Sequence, residues 1–202
     1  ANVTIPHKNT VITLIDELGD TAKAVGAVNT LVRVNGRIHG ENTDIEGFLM
    51  EIDSLEINLI DRPALILGTG GSARAIAFAL LQRAPEARVL GRNMLAGTKI
   101  KDDLSKIVGG NLLSFDWTPT ELSKASEDCA LVVNCTPIGM VPHVNTTPWF
   151  PNIPFPPQTF VYDLVYNPIE TMLVRQARSN GIKAQTGLGM LVRQGVLSFT
   201  LW

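Results

Sequence analysis

The chain is 202 residues long, 45% apolar, and carries a formal net charge of −2. That length can bury one large core or two small ones, and no basic block or stripe offers a face to nucleic acid. The longest apolar stretch, Pro63 to Leu81, is interrupted by Gly68, Gly70, Gly71 and Arg74, which excludes a membrane span.

In chain order, residues 9–24 read as a helix. Val11, Leu14, Ile15 and Leu18 recur at helical spacing, with acidic residues mostly between them. Residues 27–34 and 37–40 read as a hairpin turning at Asn35-Gly36, a strong two-residue turn signal. Residues 44–57 start a second helix. From Pro63 the pattern becomes alternating strand and helix. Strands are expected at 64–67, 87–90, 111–115, 130–134, 159–164 and 182–186. Helices are expected at 72–82, 94–107 and 169–179. Short apolar strands alternating with helices imply an α/β fold with a parallel sheet covered on both faces. Residues 141–158 are rich in proline and read as a long surface loop beside the site. Residues 188–202 form an apolar-striped helix.

Cys129 and Cys135 lie six positions apart around one predicted strand. A disulfide between them fits poorly, and reduced thiols in a cytosolic protein fit better. Three scattered histidines (His7, His39, His143) and the lack of a Cys-x-x-Cys motif leave no metal site. No signal-peptide pattern opens the chain, so a cytoplasmic location is expected, or a plastid one if a leader has been removed. The chain starts on Ala1 rather than methionine and stops inside an apolar helical pattern at Trp202, so both ends read as cut.

The strand at 64–67 runs into Gly68-Thr69-Gly70-Gly71-Ser72-Ala73 and then a helix. Gly68 and Gly70 permit a tight turn and a close approach of backbone to a pyrophosphate. The small Ala73 lets helix pack on strand, and the helix start offers free N–H groups to phosphate. A glycine turn alone is common; here the strand before, the helix after and a further strand accompany it. The end of the second strand should read the ribose. It carries Gly91-Arg92-Asn93, with Arg92 standing 24 positions after Gly68 and no carboxylate present. An arginine there suits a 2′-phosphate, so NADP is expected rather than NAD.

The first 47 residues hold several specified polar positions: Asn2-Val-Thr4-Ile-Pro-His-Lys8, Gly26-Ala-Val-Asn29-Thr30 and Asn42-Thr-Asp44. Each also has a plain structural use, as a turn, a strand entry or a helix cap. Further on come Asn134-Cys-Thr136-Pro-Ile-Gly-Met140, Asp163-Leu164-Val-Tyr166-Asn-Pro168 and Gly187-Leu-Gly-Met190-Leu-Val-Arg-Gln194. With the glycine turn, these ordered motifs resemble the shikimate dehydrogenase family over nearly the whole chain.

The resemblance implies a fold, a reaction and a set of roles. The fold is a Rossmann-like doubly wound parallel sheet at 44–187. It binds NADP and is preceded by part of a smaller α/β substrate domain. Residues 1–43 and 188–202 form that substrate domain, with the last helix returning to it. The reaction is the reversible reduction of 3-dehydroshikimate to shikimate with NADPH, toward chorismate and the aromatic amino acids. Lys8 matches the catalytic lysine and Asp44 its aspartate partner. Thr4, Asn29, Tyr166 and Gln194 match substrate contacts. Thr136, Leu164, Gly187 and Met190 match the nicotinamide side, and Asp20 a weaker contact near the cofactor. The partner is a small molecule, shikimate or 3-dehydroshikimate, and the protein a monomer or homodimer.

The resemblance also marks departures. Members carry an earlier segment with a serine pair that grips the substrate carboxylate, so this chain is expected to bind NADPH yet hold shikimate poorly. The second-strand motif usually brings a further base, where Ala96 stands here. The near alternatives are a quinate/shikimate dehydrogenase using NAD, a non-catalytic relative, and a chain that binds nucleotide without turnover.

Overall fold

The computed structural model describes residues 1–4 and 7–202. Ile5 and Pro6, where the sequence reads a turn inside the first motif, lie outside the described residues. Two sheets organise the chain. The smaller has order β1-β3-β2, from β1 (Glu17–Leu18), β2 (Thr30–Val34) and β3 (Arg37–Glu41). Strands β2 and β3 form the expected antiparallel hairpin, with Val34 opposite Arg37 across a turn in which Asn35 and Gly36 both take positive φ. Such a turn matches the right-handed twist of its strands.

The expected helix at 9–24 does not form as one piece. A 3-10 turn at Thr10–Leu14 is followed by β1 and then by α1 (Asp20–Val25). Competition from the hairpin edge explains the break. The Asp16 backbone N–H donates to Ile38 O, its carboxylate accepts from Ile38 N, and β1 pairs in parallel with β3. Gly19, the N-cap of α1, lies so close to the Glu41 carboxylate that a Cβ there would collide with it. No residue of the 3-10 turn is buried, and Leu14 is 78% exposed.

The larger sheet is built from β4 (Ala64–Leu67), β5 (Glu86–Gly91), β6 (Asn111–Asp116), β7 (Leu131–Asn134), β8 (Phe160–Asp163) and β9 (Lys183–Thr186), all parallel, in the order β6-β5-β4-β7-β8-β9. The direction of strand succession reverses between β4 and β7, which opens a crevice at their carboxyl ends. Helices α2 (Asp44–Ser54), α3 (Gly71–Leu80) and α4 (Met94–Ile107) share one core with β4, β5 and β7 through Phe48, Ile66, Ile76, Leu80 and Val89. On the opposite face, α5 (Pro119–Ser126) and α6 (Met172–Ser179) cover Leu65, Leu67, Val132 and Val161. Helix α5 was not among the expected elements. Its signal is local: Thr118 caps it by accepting from Glu121 N, with Pro119 in the first turn.

The segment at 141–158 forms no helix or strand, as expected, yet it does not merely ride on the surface. Trp149 is 1% exposed, lies in the core under α5 and α6, stacks on Phe155 with ring centroids 4.5 Å apart, and donates from Nε1 to Ile153 O at 2.8 Å. Both cysteines are free, and burial pushes the Cys129 thiol up to about 12, so it stays protonated at neutral pH.

Helix α7 (Leu188–Thr200) packs along α2. Two glycines permit the close approach. A Cβ at Gly47 would lie 2.9 Å from Gln194 N, and one at Gly189 would strike the Glu51 carboxylate. Glu51, 3% exposed, accepts from Arg193 Nε at 2.7 Å and Gln185 Nε2 at 3.0 Å. The helix then reaches the hairpin, where Ser198 meets Thr30 and the Trp202 indole donates to Leu31 O. No described helix is long and apolar enough to cross a membrane.

Candidate active site

Asp44 is the first residue of α2, where a carboxylate meets the positive end of the helix dipole. Asn42 fixes the approach, accepting from Asp44 N and donating to Ala27 O. Lys8 comes from the opposite side. Its carbonyl accepts from Val28 N at 2.8 Å, which ties the lysine to the strand entry. Lys8 Nζ donates to Asp44 Oδ2 at 2.7 Å, with the two side chains 16% and 10% exposed. The pair is therefore largely shielded but still reachable.

Asn29 binds the other carboxylate oxygen. Its Nδ2 donates to Asp44 Oδ1 at 2.8 Å and to Thr43 Oγ1 at 2.9 Å, and lies 3.4 Å from Gln194 Oε1. Its Oδ1 accepts from Thr43 N. Four residues widely spaced in sequence, Lys8, Asn29, Asp44 and Gln194, thus meet in one polar cluster. Thr43, Thr30 and Ser198 complete it: Ser198 Oγ lies 2.7 Å from Thr30 Oγ1 and 3.1 Å from Thr43 Oγ1, fully buried. Thr30 and Thr43 stand in the sequence motifs with no role assigned to them, and Ser198 stands outside those motifs. Ser198 carried a readable signal, a small polar residue one turn after Gln194 on the same helix.

The glycine turn lies beside this cluster. Gly68, with φ +116°, follows β4, and its N–H donates to Leu90 O. A Cβ there would lie 3.0 Å from Thr136 Cγ2, so the turns after β4 and β7 touch across the crevice. Gly70 is the N-cap of α3 and supplies no capping side chain, whereas Asn93, Thr118 and Thr171 cap α4, α5 and α6. The first N–H groups of α3 thus have no side-chain cap, and nothing lies within 4 Å of a Cβ built on Gly70. Gly91 lets Thr69 pack directly against the end of β5. Asn9, next to Lys8, donates to Gly26 O and sits 3.2 Å from a Cβ built on Gly71. The lysine segment and the phosphate-type turn are in contact.

The remaining expected residues divide. Thr136 donates to Asn134 Oδ1 at 2.7 Å at the crevice. Leu164 O would be 2.5 Å from a Cβ on Gly187, so only glycine fits at the entry to α7. Met190, 9% exposed, donates from its backbone to Tyr162 Oη. Ser72 and Ala73 lie in the first turn of α3, with Ala73 fully buried. Asn93 spends its side chain on Ala96 N. Arg92, Thr4 and Asp20 are exposed, Tyr166 is 48% exposed, and none of the four makes a side-chain hydrogen bond among the described residues. No cluster of three or more metal-ligating side chains occurs among the described residues.

Behind the crevice, Asp163 ends β8 buried, accepting from Thr171 Oγ1 at 2.6 Å, Asn134 Nδ2 at 2.8 Å and Val165 N at 3.1 Å. Burial outweighs these donors and raises its carboxyl from 3.8 to about 6. The folded chain thus keeps a proton that the unfolded chain releases. The stability from this group is fully present below pH 3.8 and lost as pH rises through about 6. A carboxyl-carbon NMR titration should place the Asp163 midpoint near 6. A midpoint below the unfolded value would mean that the three donors win.

The family model described as the shikimate dehydrogenase substrate binding domain matches residues 1–31. A shikimate dehydrogenase (NADP(+)) of Desulforamulus reducens is 39% identical over 203 residues, which cover 100% of this chain and 70% of the relative. Shikimate 5-dehydrogenase from Thermus thermophilus, solved in complex with NADP(H) and shikimate, superposes with a TM-score of 0.85 at 37% identity, over 100% of this chain and 71% of that one. Quinate dehydrogenase from Corynebacterium glutamicum, in complex with NAD, gives 0.88 at 30% identity, over 99% of this chain and 71% of that one. With its ordered motifs, its reversed parallel sheet and its Lys8–Asp44 pair beside the glycine turn, the chain belongs to the shikimate dehydrogenase family.

Proposed function

We propose that this protein reduces 3-dehydroshikimate to shikimate with NADPH, reversibly, as a step toward chorismate and the aromatic amino acids. The observation that carries the reading is the 2.7 Å Lys8–Asp44 pair, held in a polar cluster whose neighbour Asn9 abuts Gly71. Residues 1–43 and 188–202 act as the substrate half, and residues 44–187 as the nucleotide half. The substrate is a small molecule, the assembly a monomer or homodimer, and the location cytoplasmic, which suits two free thiols.

The turn fits a dinucleotide. The uncapped start of α3 leaves N–H donors for a pyrophosphate, and Gly70 leaves room for it. Gly68, Thr69, Gly71, Ser72 and Ala73 would hold that end. Arg92 and Asn93 would meet the ribose, and Thr136, Leu164, Gly187, Met190 and Asp20 the nicotinamide side or its surroundings. When bound, NADPH supplies a hydride to the carbonyl carbon. Negative charge then develops on the carbonyl oxygen. Lys8 Nζ stabilises that charge and donates the proton; in the reverse direction neutral Nζ takes it back. Asp44 Oδ2 holds Nζ in line, while Asn29 locks Oδ1 so that the carboxylate cannot swing away. Thr4, Asn29, Tyr166 and Gln194 orient the hydroxyls and the carboxylate of the substrate.

A spectrophotometric assay of the full-length protein tests this, with shikimate and quinate each against NADP and NAD. The highest kcat/KM is expected for shikimate with NADP. Quinate with NAD as the best pair would replace this reading with a quinate dehydrogenase.

A further inference from the structure

Resting on the reading of the turn as an NADP site, we infer that Lys99 on α4 is a second cation for the 2′-phosphate and sets the preference for NADPH over NADH. A cavity of about 450 Å³ opens beside the glycine turn, bounded by Gly70 and Gly71 on one side and by Ala96, Lys99 and Asp103 of α4 on the other. Two cations line it, Arg74 and Lys99. Arg74 is already committed. Its Nη1 donates to Asp103 Oδ2 at 2.7 Å, and its Nε donates to Val25 O at the end of α1. Lys99 has no ion-pair or hydrogen-bond partner for its ammonium among the described residues, and the nearby Asp103 is taken by Arg74. Arg92, the residue the sequence points to, is exposed and does not line the cavity.

Position and direction favour the ribose phosphate over the pyrophosphate. The pyrophosphate has the N–H groups of α3. Helix α4 instead is capped by Asn93, two residues past the end of β5, which is where the 2′ position is read in such sheets. Ala96, Lys99 and Asp103 share one face of α4 at helical spacing, and side chains on a helix tilt back toward its N-terminus. A lysine stem on that face can carry its ammonium from the cavity wall toward Gly91-Arg92-Asn93. Nothing acidic occupies that strand end to oppose a phosphate.

The test is fluorescence titration of this chain with NADPH and with NADH, which requires no turnover. Lys99→Ala should weaken NADPH about tenfold, the size of one charge-assisted hydrogen bond, and change NADH less than twofold. Lys99→Arg should restore NADPH binding, and the loss should shrink at high salt. Lys101→Ala, an exposed lysine of the same helix off the cavity, removes the same charge and should change neither titration. Equal weakening of both nucleotides by Lys99→Ala would assign Lys99 to the pyrophosphate and overturn the inference. So would unchanged binding of both in a wild type that prefers NADPH. A wild type that binds neither nucleotide would instead overturn the cofactor reading itself.

Discussion

Replacing Lys8 by alanine should abolish turnover in the full-length protein while leaving its affinity for NADPH nearly unchanged. The ammonium is the one group in the cluster that can both balance charge on a carbonyl oxygen and give it a proton. Losing a positioned proton donor typically costs about 10²- to 10⁴-fold, and losing its electrostatic stabilisation adds to that. The fold should survive. Lys8 is partly exposed, and Asp44 keeps Asn29 on its other oxygen. The glycine turn takes no side chain from Lys8, so the NADPH titration serves as the control for correct folding. The check is kcat by absorbance at the nicotinamide band beside that titration. Near-normal turnover in the variant would remove the role assigned to this lysine.

Trp149→Ala should be the most destabilising substitution in any irregular segment of the chain. Truncating a fully buried tryptophan costs about 3–5 kcal/mol through lost contacts and the cavity left behind. Here the loss includes the stack on Phe155 and the hydrogen bond to Ile153 O. For a chain of this size, the melting temperature should fall by roughly 10 °C. A calorimetric or circular-dichroism melt reads this directly. A drop of only a degree or two would mean that the segment rides on the surface, as its proline content suggests. NADPH binding should persist below the new melting point, because Trp149 packs under α5 and α6 on the face opposite α3.

The parallel sheet was legible because its strands are short, apolar and bounded by turns. Strand β4 falls at 64–67 as the composition says, and α4 at 94–107. The glycine turn was legible because its chemistry is local. The segment at 9–24 was not, because the partner that dissolves its helix, the Ile38–Gly40 edge, lies twenty residues downstream. Trp149 was hidden for a similar reason: nothing in a proline-rich stretch tells whether an aromatic side chain turns in or out. Among the site residues, the Lys8–Asp44 partnership was legible only through the family resemblance, since their spacing alone is uninformative. Ser198 joins the cluster through contacts made across more than 150 positions, which no local pattern can announce. Lys99 was not legible because a lysine in the second turn of a helix reads as surface charge unless a cavity lies beside it.

The way α7 closes on α2 also sets an order of events during synthesis. Every sheet neighbour of the glycine turn lies before residue 135, so the nucleotide cradle can take shape while later residues are still being added. Gln194 and Ser198 follow some sixty residues later, and the polar cluster around Asp44 lacks their contacts until they dock. A nascent chain therefore acquires a place for its redox partner well before it can orient anything to be reduced.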